Sequence, residues 1–271
     1  MILLFDVGAS RIRWATSTKG RNLSRITSVA TPQSFVEAKN FFRMVSDSLP
    51  RRANTVVSGV PGHLDQRHEK LVRARHLEGW SGKFLKKELQ KIFHSPVYLE
   101  NDTALVGLGE ASHGAGRGKS IVAYVTVSTG VNGVRIVDGR IDRNAMGFEI
   151  GKQIISVLGP HSYIWEDFVS GTAIKKRTGL APEKITDKQI WHDVERYLAY
   201  GLDNVIRYWS PELIVIGGGI ATSGKISMAQ IANHIKELIP FYPALPPLKR
   251  ATLGDSAGLL GGIEYLKTHH G

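Results

Sequence analysis

The chain contains no cysteine. That absence excludes disulfide bonds, thiolate catalysis and every zinc site built on Cys ligands. No stretch approaches the roughly 20 apolar residues that a helix needs to span a bilayer. The opening segment Met1-Ile2-Leu3-Leu4-Phe5 lacks the basic leader and long apolar core of a signal peptide. We therefore expect a cytoplasmic protein with no membrane partner.

Acidic residues are in the minority, since 24 Asp and Glu stand against 35 Lys and Arg, for a net charge of +11. This balance favours an anionic ligand. The basic clusters do not alternate with aromatic residues, as a base-stacking surface would require, so we expect steering of a nucleotide and no nucleic-acid partner. The 271 residues are 42% hydrophobic, which is enough for a substantial core.

One order of elements occurs twice along the chain. A strand over residues 1–7 turns back into a second strand at 12–16, and a strand over 121–127 is followed by a hairpin around Asp138-Gly139. Helices and further strands follow in each half. The repeat predicts an α/β protein with two domains and a cleft between them. We place a smaller domain at 1–105 and a larger one at 106–255, with a C-terminal helix at about 256–271 as a candidate to pack back on the first.

Several side chains are predicted to start helices. Thr31-Pro32 has the pattern of an N-cap followed by proline at the first helical position, and Ser81 is the predicted N-cap of the next helix. Asn101-Asp102 follows the apolar run 96–99 and opens a helix over 103–113. Ligands of open α/β sheets bind beyond the carboxyl ends of strands, so Asp102 is a candidate general base, and N-capping is the alternative role.

Three glycine-containing turns also follow predicted strands. In the first, Gly8 allows close backbone approach to a phosphate, Ser10 can donate a hydrogen bond, and Asp6 can hold a hydrated magnesium ion, although an ordinary hairpin turn would look similar. The second is Ser128-Thr129-Gly130-Val131-Asn132-Gly133, in which we expect Asn132 to adopt a positive φ. In the third, Gly217-Gly218-Gly219, free amides could meet a nucleotide.

In combination and order these segments resemble the ROK family of sugar kinases and sugar-responsive regulators, within the actin-like, hexokinase-like ATPase superfamily. The resemblance runs almost from end to end. The matching segments are Asp6-Val7-Gly8-Ala9-Ser10-Arg11, Val60-Pro61-Gly62, Gly79-Trp80, Glu100-Asn101-Asp102-Thr103-Ala104, residues 128–133, Glu149-Ile150-Gly151-Lys152, Trp165-Glu166, Ser170-Gly171, Gly217-Gly218-Gly219 and residues 254–259.

The resemblance implies a ribonuclease H-like sheet in each domain and transfer of the ATP γ-phosphoryl group to a hexose or N-acetylhexosamine, usually at carbon 6. It implies Asp102 as general base, ATP with Mg²⁺, and a homodimer as a candidate assembly. The implied substrate-binding residues are Asn101, Asp102, Gly62, Glu149, Lys152 and Glu166. The implied nucleotide-binding residues are Asp6, Gly8, Ser10, Arg11, Ser128, Thr129, Gly130, Gly218 and Gly219, with Asp6 near the metal.

The departures from the family pattern matter as well. The family's zinc-binding segment is short here and has no cysteine, and Lys152 replaces a histidine that commonly touches the sugar, so we expect no zinc. Lys152 either contacts substrate or pairs with Glu149 or Glu166. Ala9 and Ala104 are expected to weaken ligand binding without abolishing it.

Non-catalytic members of the family give the alternative function, a sugar- or nucleotide-binding regulator. DNA-binding members carry a helix-turn-helix ahead of the kinase-like frame, whereas the phosphate-turn strand begins here at Met1, which counts against a repressor. Retention of Asp102 counts against an inactive kinase. A nucleotide-binding scaffold on the same fold would bind nucleotide without sugar-dependent turnover.

Overall fold

The structure is a computed structural model that describes residues 1–18, 20 and 22–269, with the side chain of residue 269 excepted. The strands are β1 (Ile2–Val7), β2 (Arg11–Ser17), β3 (Thr27–Ala30), β4 (Thr55–Val60), β5 (His63–Leu64), β6 (Leu71–Arg73), β7 (Val97–Asn101), β8 (Ile121–Val127), β9 (Val131–Val137), β10 (Arg140–Ile141), β11 (Ile154–Leu158), β12 (His161–Ile164), β13 (Leu213–Gly217) and β14 (Leu248–Arg250). The helices are α1 (Phe35–Ser48), α2 (Leu85–Phe93), α3 (Asp102–His113), α4 (Glu166–Val169), α5 (Gly171–Thr178), α6 (Lys188–Trp209), α7 (Gly219–Thr222), α8 (Met228–Leu238) and α9 (Ala257–His269).

Contacts group these elements into two compact units. The first contains Met1–Ser112, Arg143–Gly147 and the described residues from Leu253 onward, and the second contains His113–Asp142 and Phe148–Thr252. Residues 270 and 271 of the predicted C-terminal helix lie outside the described residues.

The first unit is built on a mixed sheet in the order β3-β2-β1-β4-β7, in which β1 is antiparallel to β2 and parallel to β4. Alternation along β1 separates its two faces, because successive side chains of a strand point to opposite sides. Leu3 and Phe5 join the apolar cluster that also contains the buried residues of α1 and α2. Asp6 has the opposite parity and faces α9, where Gly258 lies against it.

The second unit repeats this arrangement. Its sheet has the order β10-β9-β8-β13-β14, with β8 antiparallel to β9 and parallel to β13, which is in turn parallel to β14. The long helix α6 packs against α8 over this sheet, and their apolar faces form one buried cluster with the strands. The duplication expected from the sequence is therefore present in the sheets.

Two predicted helix starts are wrong. The N-cap of α1 is Ser34, which forms a reciprocal capping box with Glu37, while the Thr31 hydroxyl donates to the carbonyl of Gly8 at 2.7 Å. Helix α2 has no side-chain cap. The hydroxyl of Ser81 instead accepts a bond from the Ala74 amide at 2.9 Å. Both hydroxyls are used in contacts between segments, which no local pattern reveals.

Asn132 is a third correction. It has a negative φ and lies in β9 opposite Thr126, so it does not replace glycine in the turn. Its side chain accepts a bond from the Gly133 amide at 2.8 Å.

Among the described residues, none of the helices combines the length and the apolar character that a membrane span requires.

Candidate functional site

Asn101 and Asp102 occupy the junction of β7 and α3 in the first unit. The side-chain oxygen of Asn101 accepts from the Ala104 amide at 3.2 Å, which is the bond that an N-cap residue makes. Asp102 Oδ1 accepts from the adjacent Thr103 amide at 2.7 Å. The capping role predicted for Asp102 therefore belongs to Asn101, and the carboxylate of Asp102 sits in the first turn of the helix.

Asp102 lies close to a second carboxylate, Asp6. Burial raises the pKa of Asp102 to about 6, and hydrogen bonds from Thr103 offset part of that rise. Burial raises the pKa of Asp6 to about 7, with further upward contributions from the negative charges of Asp102 and Asp255. Arg13 opposes this rise, since its guanidinium lies 3.8 Å from Asp6 and 2.7 Å from Asp255.

Two glycines make room for these acids. A Cβ at Gly258 would lie 2.9 Å from Cγ of Asp6, and a Cβ at Gly59 would lie 3.3 Å from Cα of Asp102. Real Cβ atoms do not approach closer than about 3.0 Å without a shift of their neighbours. Gly258 belongs to the segment 254–259, and the structure puts that segment beside Asp6.

The first turn, Gly8 to Arg11, is closed by a bond from the Gly8 amide to the Arg11 carbonyl at 2.9 Å. Ser10 is exposed, so its hydroxyl is accessible from solvent. The guanidinium of Arg11 donates to the Ser28 hydroxyl at 2.9 Å. The turn therefore offers an accessible hydroxyl, with the exposed Arg11 side chain held toward β3.

Gly62 is required by backbone geometry. Its φ is 100°, and a Cβ there would lie 2.2 Å from the Arg73 carbonyl oxygen. The amide group of Asn101 donates to the Gly62 carbonyl at 3.2 Å. The structure thus brings Gly62, Asn101 and Asp102 together.

The second turn, residues 128–130, joins β8 to β9 in the second unit. Its carbonyls are tied to the start of α5, because Gly171 N donates to Ser128 O at 2.7 Å and the Thr172 hydroxyl donates to Thr129 O at 2.8 Å. Among the residues that the structure describes, the amides of Thr129 and Gly130 donate to no protein acceptor. Those two N–H groups are free to bind an anion.

A pocket of about 630 Å³ opens beside this turn. Ser128, Thr129 and Gly219 line it, whereas Gly130 and Gly218 do not. Its other lining residues are Gly171, Thr172, Lys175, Ala181, Pro182, Glu183, Trp191, Ile220, Ser223 and Lys225. Ligand pockets typically measure about 300–1,000 Å³, so the space suits a nucleoside.

Gly218 shapes this region although it does not line the pocket. It has a φ of 86°, and a Cβ there would lie 2.4 Å from the carbonyl oxygen of Val127. Only glycine fits such a close approach of β13 to the end of β8. The substitution of any larger residue would push the two strand ends apart.

The remaining predicted residues form a second cluster in the second unit. Lys152 Nζ lies 2.6 Å from Glu166 Oε1. Lys152 therefore forms the ion pair with Glu166 that was predicted as one alternative to a substrate contact. The other oxygen, Oε2, accepts from the Val131 amide at 3.1 Å. Glu149 is exposed, and its carbonyl accepts from the Lys152 amide at 2.9 Å.

The residues present fit both of the expected ligands, ATP at the pocket beside residues 128–130 and Mg²⁺ at Asp6. The negative charges of Asp102 and Asp255 act on Asp6, and carboxylate oxygens such as those of Asp6 suit a hard cation. No group of three or more His, Asp or Glu side chains converges as a ligand set in the described part of the chain. A magnesium ion at Asp6 would therefore keep most of its waters, which Mg²⁺ commonly does.

Comparison with known proteins identifies the family. A model of the ROK family matches residues 3–269. The chain belongs to the ROK family. The glucokinase of Thermotoga maritima is 26% identical over 79% of both chains, and the N-acetyl-D-glucosamine kinase of Escherichia coli is 27% identical over 95% of this chain and 96% of its own.

A solved ROK hexokinase from Thermus thermophilus superimposes with a TM-score of 0.83 at 25% identity, covering 100% of this chain and 99% of its own. The predicted actin-like ATPase fold is thereby confirmed. Relatives of this ROK protein thus include sugar kinases, and they support a sugar kinase as its general class.

Sequence reasoning missed several residues of the site. Arg13 and Gly59 lie beside the two acids, and Trp191 and Lys225 line the pocket. Gly258 was singled out only as part of the segment 254–259, with no predicted contact to Asp6. Gly59 follows apolar residues of β4, and Gly258 precedes Leu259 and Leu260. A glycine next to such an apolar run was the one sequence signal that indicated close packing at these positions. Trp191 also belongs to the buried face of α6, where its exposed fraction is 6%.

Proposed function

We propose that this ROK protein is an ATP-dependent hexose kinase, with Asp102 as the general base and carbon 6 as the position phosphorylated. The observation that carries the proposal is the carboxylate of Asp102 at the first turn of α3, with a pKa raised by burial to about 6. A base of that strength is ionised near neutral pH and still able to hold a proton.

In the proposed reaction the hydroxyl oxygen of the sugar attacks the γ-phosphorus of ATP, and the bond from that phosphorus to the bridging oxygen of ADP breaks. Asp102 accepts the hydroxyl proton and later releases it to water. General base catalysis of this kind contributes typically about 10²–10⁴-fold to the rate. Bound magnesium would supply charge neutralisation of the phosphates.

The proposed phosphate contacts are of two kinds. The free amides of Thr129 and Gly130, with the hydroxyl of Ser128, support binding of phosphate oxygens at the second turn. Gly219 lines the proposed nucleoside pocket, and Gly218 allows the close approach of β13 to the end of β8 beside it. In the first turn, the proposed roles are backbone approach at Gly8, donation by Ser10 and Arg11, and a water-mediated magnesium contact at Asp6.

The proposed sugar contacts are Gly62, Asn101, Glu149, Lys152 and Glu166. Asn101 uses one N–H for Gly62 and one lone pair for Ala104, so its amide keeps one further donor and one further acceptor for a hydroxyl. Lys152 likewise keeps two N–H donors beyond its bond to Glu166.

The alternative is a ROK protein that binds sugar or nucleotide and regulates without turnover. The altered first turn, with Ala9, Ser10 and Arg11, favours that alternative, because Ala9 adds a methyl group where the family has glycine. A regulator would bind the ligands and release no ADP.

The test is sugar-dependent ADP release from Mg-ATP, screened with glucose, mannose, fructose, N-acetylglucosamine and N-acetylmannosamine. We expect release with at least one sugar, and a loss of about 10²-fold or more in the Asp102→Asn variant. Asp193→Asn, an isosteric change on the exposed face of α6, is the matched control. Absence of sugar-dependent release, or equal rates from the Asp102 variant and wild type, contradicts the proposal.

A further inference from the structure

Lys152 and Glu166 lie just outside the two ends of the β11–β12 hairpin. The Trp165 amide donates to the Gln153 carbonyl at 2.9 Å, and this bond closes the base of the hairpin between them. The backbone thereby brings the ammonium and the carboxylate, fourteen positions apart in sequence, to an Nζ–Oε1 distance of 2.6 Å.

The same carboxylate contacts the turn at residues 128–130. Its Oε2 accepts from the Val131 amide at 3.1 Å, and a Cβ at Gly130 would lie only 3.0 Å from that oxygen. One glutamate side chain therefore connects Lys152 to the turn whose amides are free. Its own side chain is 18% exposed, so solvent screens its charge only partly.

The backbone around Glu166 is firmly held. Trp165 is fully buried, its indole donates to the Tyr197 carbonyl at 2.8 Å, and Gly201 leaves the space that the ring fills. A few residues later, Gly171 and Thr172 bind the carbonyls of the turn. The carboxylate of Glu166 consequently stays beside Gly130.

A carboxylate beside free amides is unfavourable for binding a phosphate, because like charges repel most strongly where solvent is partly excluded. Lys152 supplies the compensating positive charge. We propose that Lys152 is a positioning residue for the phosphoryl donor: it neutralises the charge of Glu166 and fixes that carboxylate against the Val131 amide, which leaves the amides of Thr129 and Gly130 to the anion. This inference rests on the proposed function, in which that turn binds phosphates.

The proposal makes a prediction that depends on ligand charge. In Lys152→Met, we expect the Kd of Mg-AMPPNP to rise about threefold to fivefold, that of ADP to rise less, and that of adenosine to stay unchanged. The effect is modest because Lys152 is 39% exposed, and half-exposed ion pairs are weak. A purely structural defect would weaken all three ligands together.

Three further variants sharpen the test. Lys152→Arg should restore binding, and Glu166→Gln, which keeps an oxygen for the Val131 amide, should cancel the loss when combined with Lys152→Met. Lys267→Met is the matched control, since Lys267 makes an ion pair of the same 2.6 Å length with Glu264 on α9. Binding is measured by calorimetric titration, with adenosine as a competitor.

Two outcomes would overturn the inference. The first is unchanged binding of all three ligands in Lys152→Met with a raised KM for the sugar, which would make Lys152 a sugar contact alone. The second applies if wild-type protein binds no nucleotide. The proposed function then fails, and hydrogen exchange of the Val131 amide tests the positioning role by itself. Faster exchange in Lys152→Met than in Lys267→Met supports the positioning role, and equal exchange refutes it.

Discussion

At the residue scale, two roles that the sequence offered for Asp102 alone, N-cap of α3 and candidate general base, are divided between Asn101 and Asp102. Asn101 caps α3 and also reaches the carbonyl of Gly62. Asp102 is left in the first helical turn, beside Asp6 and largely removed from water. Because Asn101 makes the capping bond, the pKa of Asp102 is set by burial, which raises it, and by hydrogen bonds from Thr103, which offset part of the rise.

The raised pKa of Asp102 predicts how its removal changes stability. The folded pKa of about 6 lies above the ordinary value of 3.8, so the stability contributed by this group is complete below pH 4 and is lost as pH rises through 6. In metal-free protein, Asp102→Asn should therefore raise the free energy of unfolding at pH 8 by about 1–2 kcal/mol. The gain should vanish at pH 4.

Urea unfolding at both pH values measures this effect. Asp65 provides a contrast, because backbone hydrogen bonds from Lys70 and Glu69 outweigh its burial and lower its pKa. Asp65→Asn should therefore destabilise the protein at pH 8. A destabilised Asp102→Asn at pH 8 would mean that the carboxylate is better solvated than its position implies.

At the scale of elements, α1, α2 and α6 each bury one apolar face, whereas α9 is buried on most of its sides. The starts of α1 and α2 were not predictable from an apolar face. Thr31 and Ser81 have the right chemistry for capping, but their hydroxyls bond to other segments. The Thr31 hydroxyl donates to the Gly8 carbonyl, and the Ser81 hydroxyl accepts from the Ala74 amide. Intersegment partners decided which hydroxyl caps which helix.

The cap of α1 gives a prediction for this element. Ser34→Ala removes the acceptor for the Glu37 amide and should cost about 1 kcal/mol of unfolding free energy. Ser48→Ala, in the last turn of the same helix, should change it by less than about 0.5 kcal/mol. Denaturant midpoints of the two variants make the comparison, and equal losses would argue against the capping box.

The β11–β12 hairpin is one of the elements that sequence reasoning did not find. Its strands are short and largely exposed, and a register irregularity interrupts their alternation. The predicted departure from the family lay in this stretch, where zinc ligands are missing. The structure shows that a hairpin brings Lys152 to Glu166 there.

At the scale of the whole molecule, the duplicated sheets explain why two turns far apart in sequence occupy equivalent positions in their sheets. The turns at 8–10 and 128–130 each join the first strand of a sheet to its antiparallel neighbour. Two copies of one supersecondary pattern therefore present two small-residue turns. The pattern was readable from sequence because hairpins and strands have short-range signals.

The lack of cysteine leads to a prediction about metal content. We expect elemental analysis of the purified protein to find less than about 0.1 equivalent of zinc, because the ligands that structural zinc prefers are absent. Dialysis against a chelator should leave the thermal midpoint unchanged. Stoichiometric zinc, or a midpoint lowered by the chelator, would contradict the interpretation of residues 149–166.

The sequence by itself determined the class of fold, the family and the identity of the turns, because these depend on local periodicity, glycine positions and ordered motifs. Tertiary structure decided which polar atoms meet: Asn101 with Gly62, Lys152 with Glu166, and Asp6 with Asp102 and Asp255. Charge and burial act through distance in space, and only the folded chain fixes the distances among residues so far apart in sequence.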